Sequence, residues 1–75
     1  MKAIIVDDEH LAREIIKKYL FDYETIEVIA ECTNGFEAVK EITEKKPDLI
    51  FLDIQILLFF PDGFNSLFQL AFQPH

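Results

Sequence analysis

The chain has 75 residues, of which 51% are hydrophobic and 28% are charged, and its formal net charge is −7. This length excludes two domains and repeat arrays, and the composition excludes a disordered or collagen-like chain. The acidic balance argues against a nucleic-acid-binding surface, because phosphate backbones require Lys and Arg. Acidity instead suits cation binding or a basic partner.

Hydrophobic runs and helical periodicities alternate along residues 1–53. The runs predict short strands buried on both faces, and the i, i+3, i+4 spacing between them predicts amphipathic helices. A last helical stripe follows Asp62-Gly63 and ends before Pro74. In chain order, the predicted elements are a strand at 2–6, a helix at 9–20, a strand at 27–32, a helix at 36–46, a strand at 49–52 and a helix at 64–72.

This order of strands and helices, βαβαβα, predicts an α/β domain with a parallel sheet and right-handed crossovers. In the first helix, either Asp7 or Asp8 can cap the start. Its apolar face is formed by Leu11, Ile15 and Tyr19, with Ile16 and Leu20 beside it. In the second helix, the residues expected to face inward are Ala38, Val39 and Ile42.

The cysteine content and the apolar runs bear on the cellular location. Cys32 is the sole cysteine, so it cannot form an internal disulfide, and a reducing cytoplasm is the simplest location. At the end of a buried strand, it is expected to act as a small core residue. Asp7 comes too early for a signal peptide. The longest apolar run, 56–60, is far shorter than a bilayer span, so no membrane association is expected.

Acidic residues follow two of the predicted strands. Asp7 and Asp8 come directly after the first strand, and Asp53 follows the third. If these strands are neighbours in a parallel sheet, the three carboxylates meet at its carboxyl edge, where open α/β sheets place their sites. Carboxylates close together repel one another unless a cation joins them, and Mg²⁺ prefers such oxygen ligands. The alternative is that Asp7-Asp8 is only a helix cap and Asp53 a solvated strand end.

Three separated motifs resemble the receiver domain of bacterial two-component response regulators. They are residues 2–9 (KAIIVDDE), 30–38 (AECTNGFEA) and 47–55 (PDLIFLDIQ). The stretch 8–13 (DEHLAR) is most similar to receivers of the LytTR-type transcription regulators. The resemblance covers residues 1–56 and implies a partial flavodoxin-like fold with three parallel strands in the order 2-1-3.

The resemblance also implies roles for particular residues. Asp53 would be the phosphoacceptor, receiving its phosphoryl group from a sensor histidine kinase, a phosphotransfer protein or a small phosphodonor. Asp8, Asp53 and the backbone carbonyl of Gln55 would hold Mg²⁺ directly, and Asp7 would act through a metal-bound water. Such a module is a regulatory switch and not a classical enzyme. Arg13 would belong to the exposed surface of the first helix, where receivers meet their kinases.

The sequence departs from the family pattern after residue 56. Complete receivers have two further strands, which end in a Thr or Ser and in a Lys that contact the phosphoryl group, and no Lys or Arg follows Lys46 here. Residues 54–75 carry one charged residue, Asp62, but five phenylalanines. We therefore expect a single receiver-like domain over 1–75, truncated or altered after about residue 56, with a divergent apolar tail at 57–75.

These departures leave alternatives to a working phosphoacceptor. The chain could be a non-phosphorylatable decoy or interaction module, or a non-functional fragment of a longer transcriptional regulator. Without a fourth strand, the third strand becomes an open edge beside the Phe-rich tail. Open edges pair with other chains, so self-association is expected.

Overall fold

The computed structural model describes residues 1–53 and 55–56, and within them it contains three strands and two long helices. The strands pair in parallel in the order β2-β1-β3, which is the predicted α/β architecture of a partial flavodoxin-like fold. The predicted bounds of all three strands are confirmed. The elements in chain order are β1 (Lys2–Val6), α1 (His10–Leu20), β2 (Glu27–Cys32), α2 (Gly35–Lys45) and β3 (Leu49–Leu52).

The parallel register brings the carboxyl ends of the three strands to one level. Val6, the last residue of β1, is paired with Cys32 on one side and with Leu52 on the other. A bulge between Ala3 and Ile4 adjusts the β1–β2 ladder before this end. Residues that follow β1 and β3 in sequence are therefore neighbours in space.

The hydrophobic core lies between the sheet and α2. Ile4 and Val6 of β1 are fully buried and pack with Ala38 and Ile42 of α2. Ala3 and Ile5 alternate with them and lie on the opposite face, which α1 covers. Right-handed crossovers from a central β1 place the two helices on opposite faces, so the sheet is covered on both sides.

The expected apolar face of α1 is wrong. Leu11, Ile15 and Tyr19 are 73%, 55% and 74% exposed, respectively. The side chains that face the sheet are instead those one position later in the sequence, such as Ile16 and Leu20, which are half-buried. One residue corresponds to about 100° of rotation, and the apolar stripe of this helix is wide enough to dock on either side.

Both ends of α2 have well-defined caps. Asn34 is the N-cap, and its side chain accepts the N–H of Glu37, so the Asn34-Gly35 pair begins the helix directly. At the other end, Lys46 adopts a left-handed backbone conformation with φ of 47°, and its N–H bonds to the carbonyl of Ile42. The prediction that Val39 faces inward is wrong, since it is 38% exposed while Ala38 is fully buried.

The chain continues from β3 into the core. Ile56 is buried at 8% exposure and packs in the same cluster as the residues of α2. The helix expected at 64–72 and the apolar tail at 57–75 lie outside the described residues. Within the described part of the chain, no helix has the length and apolar character needed to cross a membrane.

Candidate functional site

Three aspartates converge where β1 and β3 end. Asp7, Asp8 and Asp53 each offer a carboxylate oxygen, and these three oxygens lie within 4.8 Å of one another. Asp7 and Asp53 are half-buried, and Asp8 is exposed. The structure thus brings together the three acids that were singled out from the sequence.

Backbone hydrogen bonds fix the positions from which these acids project. The N–H of Asp7 donates to the carbonyl of Cys32 at 3.0 Å, and the N–H of Asp53 donates to the carbonyl of Val6 at 3.0 Å. Both bonds extend the parallel ladders by one residue beyond the strands. The two acids are therefore held by the sheet itself and not by a loose loop.

Two of the carboxylates are oriented by the backbone that follows them. Oδ1 of Asp7 accepts the N–H of Glu9 at 2.9 Å, and Oδ1 of Asp53 accepts the N–H of Gln55 at 3.1 Å. In both cases the donor lies two residues further along the chain, which is the pattern of an Asx turn. Glu9 is the N-cap residue of α1, and its own side chain makes no cap bond. Its N–H is bonded instead by Asp7, two residues earlier.

The donor set suits a hard divalent cation. All three side chains offer oxygen, which Mg²⁺ binds at about 2.0 to 2.1 Å. Two oxygens on one Mg²⁺ can therefore be at most about 4.2 Å apart. The three oxygens lie within 4.8 Å of one another, so small side-chain movements bring them within reach of one cation.

A cavity of about 300 Å³ adjoins the acids. Asp8 and Gln55 line it on the side of the aspartates, and Asn34 and Gly35 line it at the start of α2. Its remaining walls are mostly apolar. Asp8 therefore borders an open cleft that is large enough for a small group to approach the acidic cluster.

Comparison with known proteins identifies the family. The family model of the response regulator receiver domain matches residues 3–75. The chain belongs to this family. The match extends beyond residue 56, where the motif-based resemblance ended. Receiver domains are signalling modules of two-component systems, and they generally bind Mg²⁺ at an acidic cluster and interact with histidine kinases or phosphotransfer proteins.

Curated relatives agree with the family match. An uncharacterized response regulatory protein of Yersinia pestis is 46% identical over 56 residues, which is 75% of this chain and 24% of that protein. The transcriptional regulatory protein BtsR of Escherichia coli is 43% identical over 56 residues, 75% of this chain and 23% of BtsR. This receiver therefore spans about a quarter of the length of these relatives. No solved structure matches significantly.

The role of Arg13 was missed at the level of sequence. Its side chain is only 12% exposed, so its assignment to the exposed surface of the first helix is wrong. Nη1 donates to the carbonyl oxygen of Asp7 at 2.8 Å, and Nε donates to Oε1 of Glu31 at 3.3 Å. The closest signal in the sequence was Glu31, a charged residue of β2 that pairs with this guanidinium.

Charged side chains on α1 and β2 form a connected network. Nζ of Lys17 lies 3.0 Å from Oε2 of Glu31 and 2.6 Å from Oε1 of Glu14. The hydrogen bonds that Lys17 donates to Glu14 and Glu31 raise the pKa of Lys17, and the bond that Glu14 accepts from Lys17 lowers the pKa of Glu14. Glu31 is therefore held by two cations at once, Lys17 and Arg13.

A second polar cluster closes the start of α2 beside the cavity. Oε1 of Glu37 accepts the hydroxyl of Thr33 at 2.9 Å, and Oε2 accepts the Thr33 N–H at 3.2 Å. These bonds from Thr33 lower the pKa of Glu37. Together with the Asn34 cap they resemble a capping box, and the N-x-x-E spacing at 34–37 was the signal for it.

Among the described residues, the group of side chains that could hold a metal includes neither His10 nor Cys32. His10 is exposed on α1, with Nε2 3.9 Å from Oε1 of Glu14. Cys32 is fully buried, as predicted for a small core residue. Burial, followed by the nearby Glu37 and Glu41, raises the pKa of the Cys32 thiol to about 11, which keeps it neutral and unreactive near pH 7.

Proposed function

We propose that this receiver accepts a phosphoryl group on Asp53 in a reaction that requires Mg²⁺. The observation that carries the proposal is the convergence of the Asp7, Asp8 and Asp53 oxygens within 4.8 Å at the carboxyl end of the sheet. In the proposed site, Asp8, Asp53 and the carbonyl of Gln55 hold the metal directly, and Asp7 acts through a water. In the Asx turn after β3, the N–H of Gln55 donates to Oδ1 of Asp53. This bond supports the assignment because it keeps the two residues close together.

The proposed reaction transfers a phosphoryl group to a carboxylate oxygen. An oxygen of Asp53 attacks phosphorus while the bond to the donor breaks, P–N for a phosphohistidine or P–O for acetyl phosphate. A new P–O bond forms on Asp53, and the electron pair of the broken bond leaves with the donor, as an imidazole that takes up a proton or as acetate. A bound Mg²⁺ would neutralise charge on the transferring oxygens, as in other phosphoryl transfers. The sheet contributes by fixing the backbone of Asp53 against the end of β1.

The proposed physiological donor is a sensor histidine kinase or a phosphotransfer protein. The relatives are response regulatory and transcriptional regulatory proteins by name. We therefore propose that this receiver belongs to a transcription regulator, and residues 8–13 favour the LytTR type. With a net charge of −7, this segment itself is not proposed to bind nucleic acid. The free thiol of Cys32 supports a cytoplasmic location.

We further propose that the protein self-associates through β3. In the described residues, β3 is the terminal strand and pairs only with β1. An edge strand presents unpaired N–H and C=O groups to other chains. Light scattering across a range of protein concentrations should show a mass above that of the monomer. A monomer mass at the highest concentration would contradict the proposal.

Phosphorylation is tested by intact-mass measurement after incubation with acetyl phosphate and Mg²⁺. The expected result is a gain of one phosphoryl group, which disappears with EDTA and in Asp53→Asn. Asp48→Asn is the matched control, because Asp48 lies at the other end of β3, where its carboxylate accepts the N–H of Lys2. This variant should still gain the group.

A folded wild-type protein that gains no mass at saturating donor would overturn the proposal. If that protein still bound a cognate kinase, the result would favour a decoy or interaction module. If it bound neither kinase nor Mg²⁺, the result would favour a non-functional fragment of a longer regulator. Thermal-shift titration with Mg²⁺ and beryllofluoride separates these outcomes, since it reports whether the site forms.

A further inference from the structure

Arg13 connects three separate parts of the fold near the acidic cluster. It projects from the first turn of α1, its Nη1 reaches the carbonyl oxygen of Asp7 at 2.8 Å, and its Nε reaches Glu31 of β2 at 3.3 Å. Nη2 lies 3.4 Å from Nδ1 of His10. The Arg13 side chain is 12% exposed and is hydrogen-bonded to both Asp7 and Glu31, so it is not an ordinary solvated surface residue.

The contact with Asp7 completes the restraint of that residue. Its N–H is bonded to Cys32, its Oδ1 to Glu9, and its carbonyl oxygen to Arg13. Three of the four polar atoms of Asp7 are thus held by hydrogen bonds. The peptide that begins with this carbonyl also carries the N–H of Asp8, so the guanidinium fixes the plane that joins the two acids.

The partner on β2 orients the guanidinium and does not depend on it for charge compensation. Glu31 also pairs with Lys17 at 3.0 Å. The bond between Glu31 and Nε of Arg13 therefore sets the orientation of the guanidinium, and Nη1 is directed at the carbonyl oxygen of Asp7. A planar guanidinium can make both bonds at once, whereas a lysine ammonium lacks that fixed geometry.

We infer that Arg13 is a positioning residue that holds the Asp7–Asp8 peptide in the arrangement required for Mg²⁺. This inference rests on the proposed function of the acidic cluster. Residues that orient metal ligands typically contribute 10- to 100-fold to metal affinity. Removal of Arg13 should therefore weaken Mg²⁺ binding even where the fold survives.

The test compares the Mg²⁺ dissociation constants of Arg13→Gln, Arg13→Lys and Lys17→Gln, measured by calorimetry on the full chain. Lys17→Gln is the matched control. Lys17 pairs with the same Glu31 as Arg13 does, but its second partner is Glu14 and not Asp7. Both Arg13 variants should bind Mg²⁺ about tenfold or more weakly, and Lys17→Gln should stay within about twofold of wild type. The amide NMR shift of Asp8 should move in the Arg13 variants without Mg²⁺.

A purely structural role gives a different pattern. Arg13→Gln would then lower the urea midpoint but leave the Mg²⁺ dissociation constant unchanged, and this result would overturn the inference. If Arg13→Gln does not fold, Glu31→Met replaces it, because that variant removes the oxygen that accepts the Arg13 Nε–H while keeping a side chain of similar length. It should weaken Mg²⁺ binding more than Lys17→Gln does, and equal affinities would overturn the inference. A folded wild type that binds no Mg²⁺ would instead overturn the proposed function itself.

Discussion

The N–H of Asp53 donates to the carbonyl of Val6 at 3.0 Å, which ties Asp53 to the end of β1, directly before Asp7. This bond extends the β1–β3 ladder by one residue past the pairing of Val6 with Leu52. The distance between the acids is thus set by parallel pairing at the centre of the sheet. Any change that disturbs the β1–β3 register should separate them.

The core beneath the site should be sensitive to truncation. Ile42 is 1% exposed and packs against β1, whereas Ile15 is 55% exposed on α1. Ile42→Ala should lower the free energy of unfolding by about 2 to 5 kcal/mol, because it leaves a cavity. Ile15→Ala is the same substitution on a helix surface and should change it by about 0.5 kcal/mol or less. Urea titrations followed by circular dichroism would measure both, and equal losses would contradict the assigned core.

The strands were predictable because their sequences are bounded on both sides. The run from Leu49 to Leu52 lies between Pro47-Asp48 and Asp53, and its bounds matched the structure. The face of α1 was not predictable, since its apolar residues extend around the helix and only contact with the sheet selects a side. Periodicity gives the width of a stripe, while docking depends on tertiary packing.

The convergence of Asp7 and Asp53 was predicted on the condition that the first and third strands are neighbours. The strand order that met this condition came from the family resemblance, and the structure has it. The restraint on Asp7 by Arg13 was not predictable, because it runs from a helix side chain to a backbone carbonyl and leaves no compositional pattern. The closest indication was Glu31, a charged residue that directly precedes the buried Cys32 at the end of β2. Side chains that support a site are in this sense harder to recognise than its ligands.

The cap of α2 should contribute measurably to stability. Oδ1 of Asn34 accepts the N–H of Glu37 at 2.9 Å. Asn34→Ala removes this acceptor and should lower the free energy of unfolding by about 1 kcal/mol, whereas Asn34→Ser keeps a capping oxygen and should lose much less. Urea unfolding of the two variants measures the difference. If Ser and Ala were equally destabilising, the cap would not be a stabilising contact.

The left-handed residue after α2 offers a stabilising substitution. Lys46 has φ of 47°, a conformation in which a side chain is unfavourable and glycine is not. Lys46→Gly should raise the free energy of unfolding by about 0.5 to 1 kcal/mol. The neighbouring Lys45 is helical and paired with Glu41, so Lys45→Gly should lower it by about 1 kcal/mol. Changes in the same direction in both variants would contradict the assigned helix end.

The thiol of Cys32 should make the fold sensitive to alkaline pH. Burial raises its pKa from 9.0 to about 11. Below pH 9 the thiol is protonated in both the folded and the unfolded chain, and its contribution to stability is constant. Between pH 9 and 11 the unfolded chain loses the proton first, so the free energy of unfolding falls as the pH rises.

The Cys32→Ala variant isolates this contribution from the lysines and tyrosines that also titrate at high pH. It should be less stable than wild type at pH 7, because a buried side chain is shortened, but its stability should fall less steeply between pH 9 and 11. Iodoacetamide provides an independent check, since at pH 8 it should react with the wild-type thiol far more slowly in the folded protein than in urea. Equal slopes for the two proteins, or fast alkylation of the folded chain, would show that the thiol is not held neutral by burial against β1 and α2.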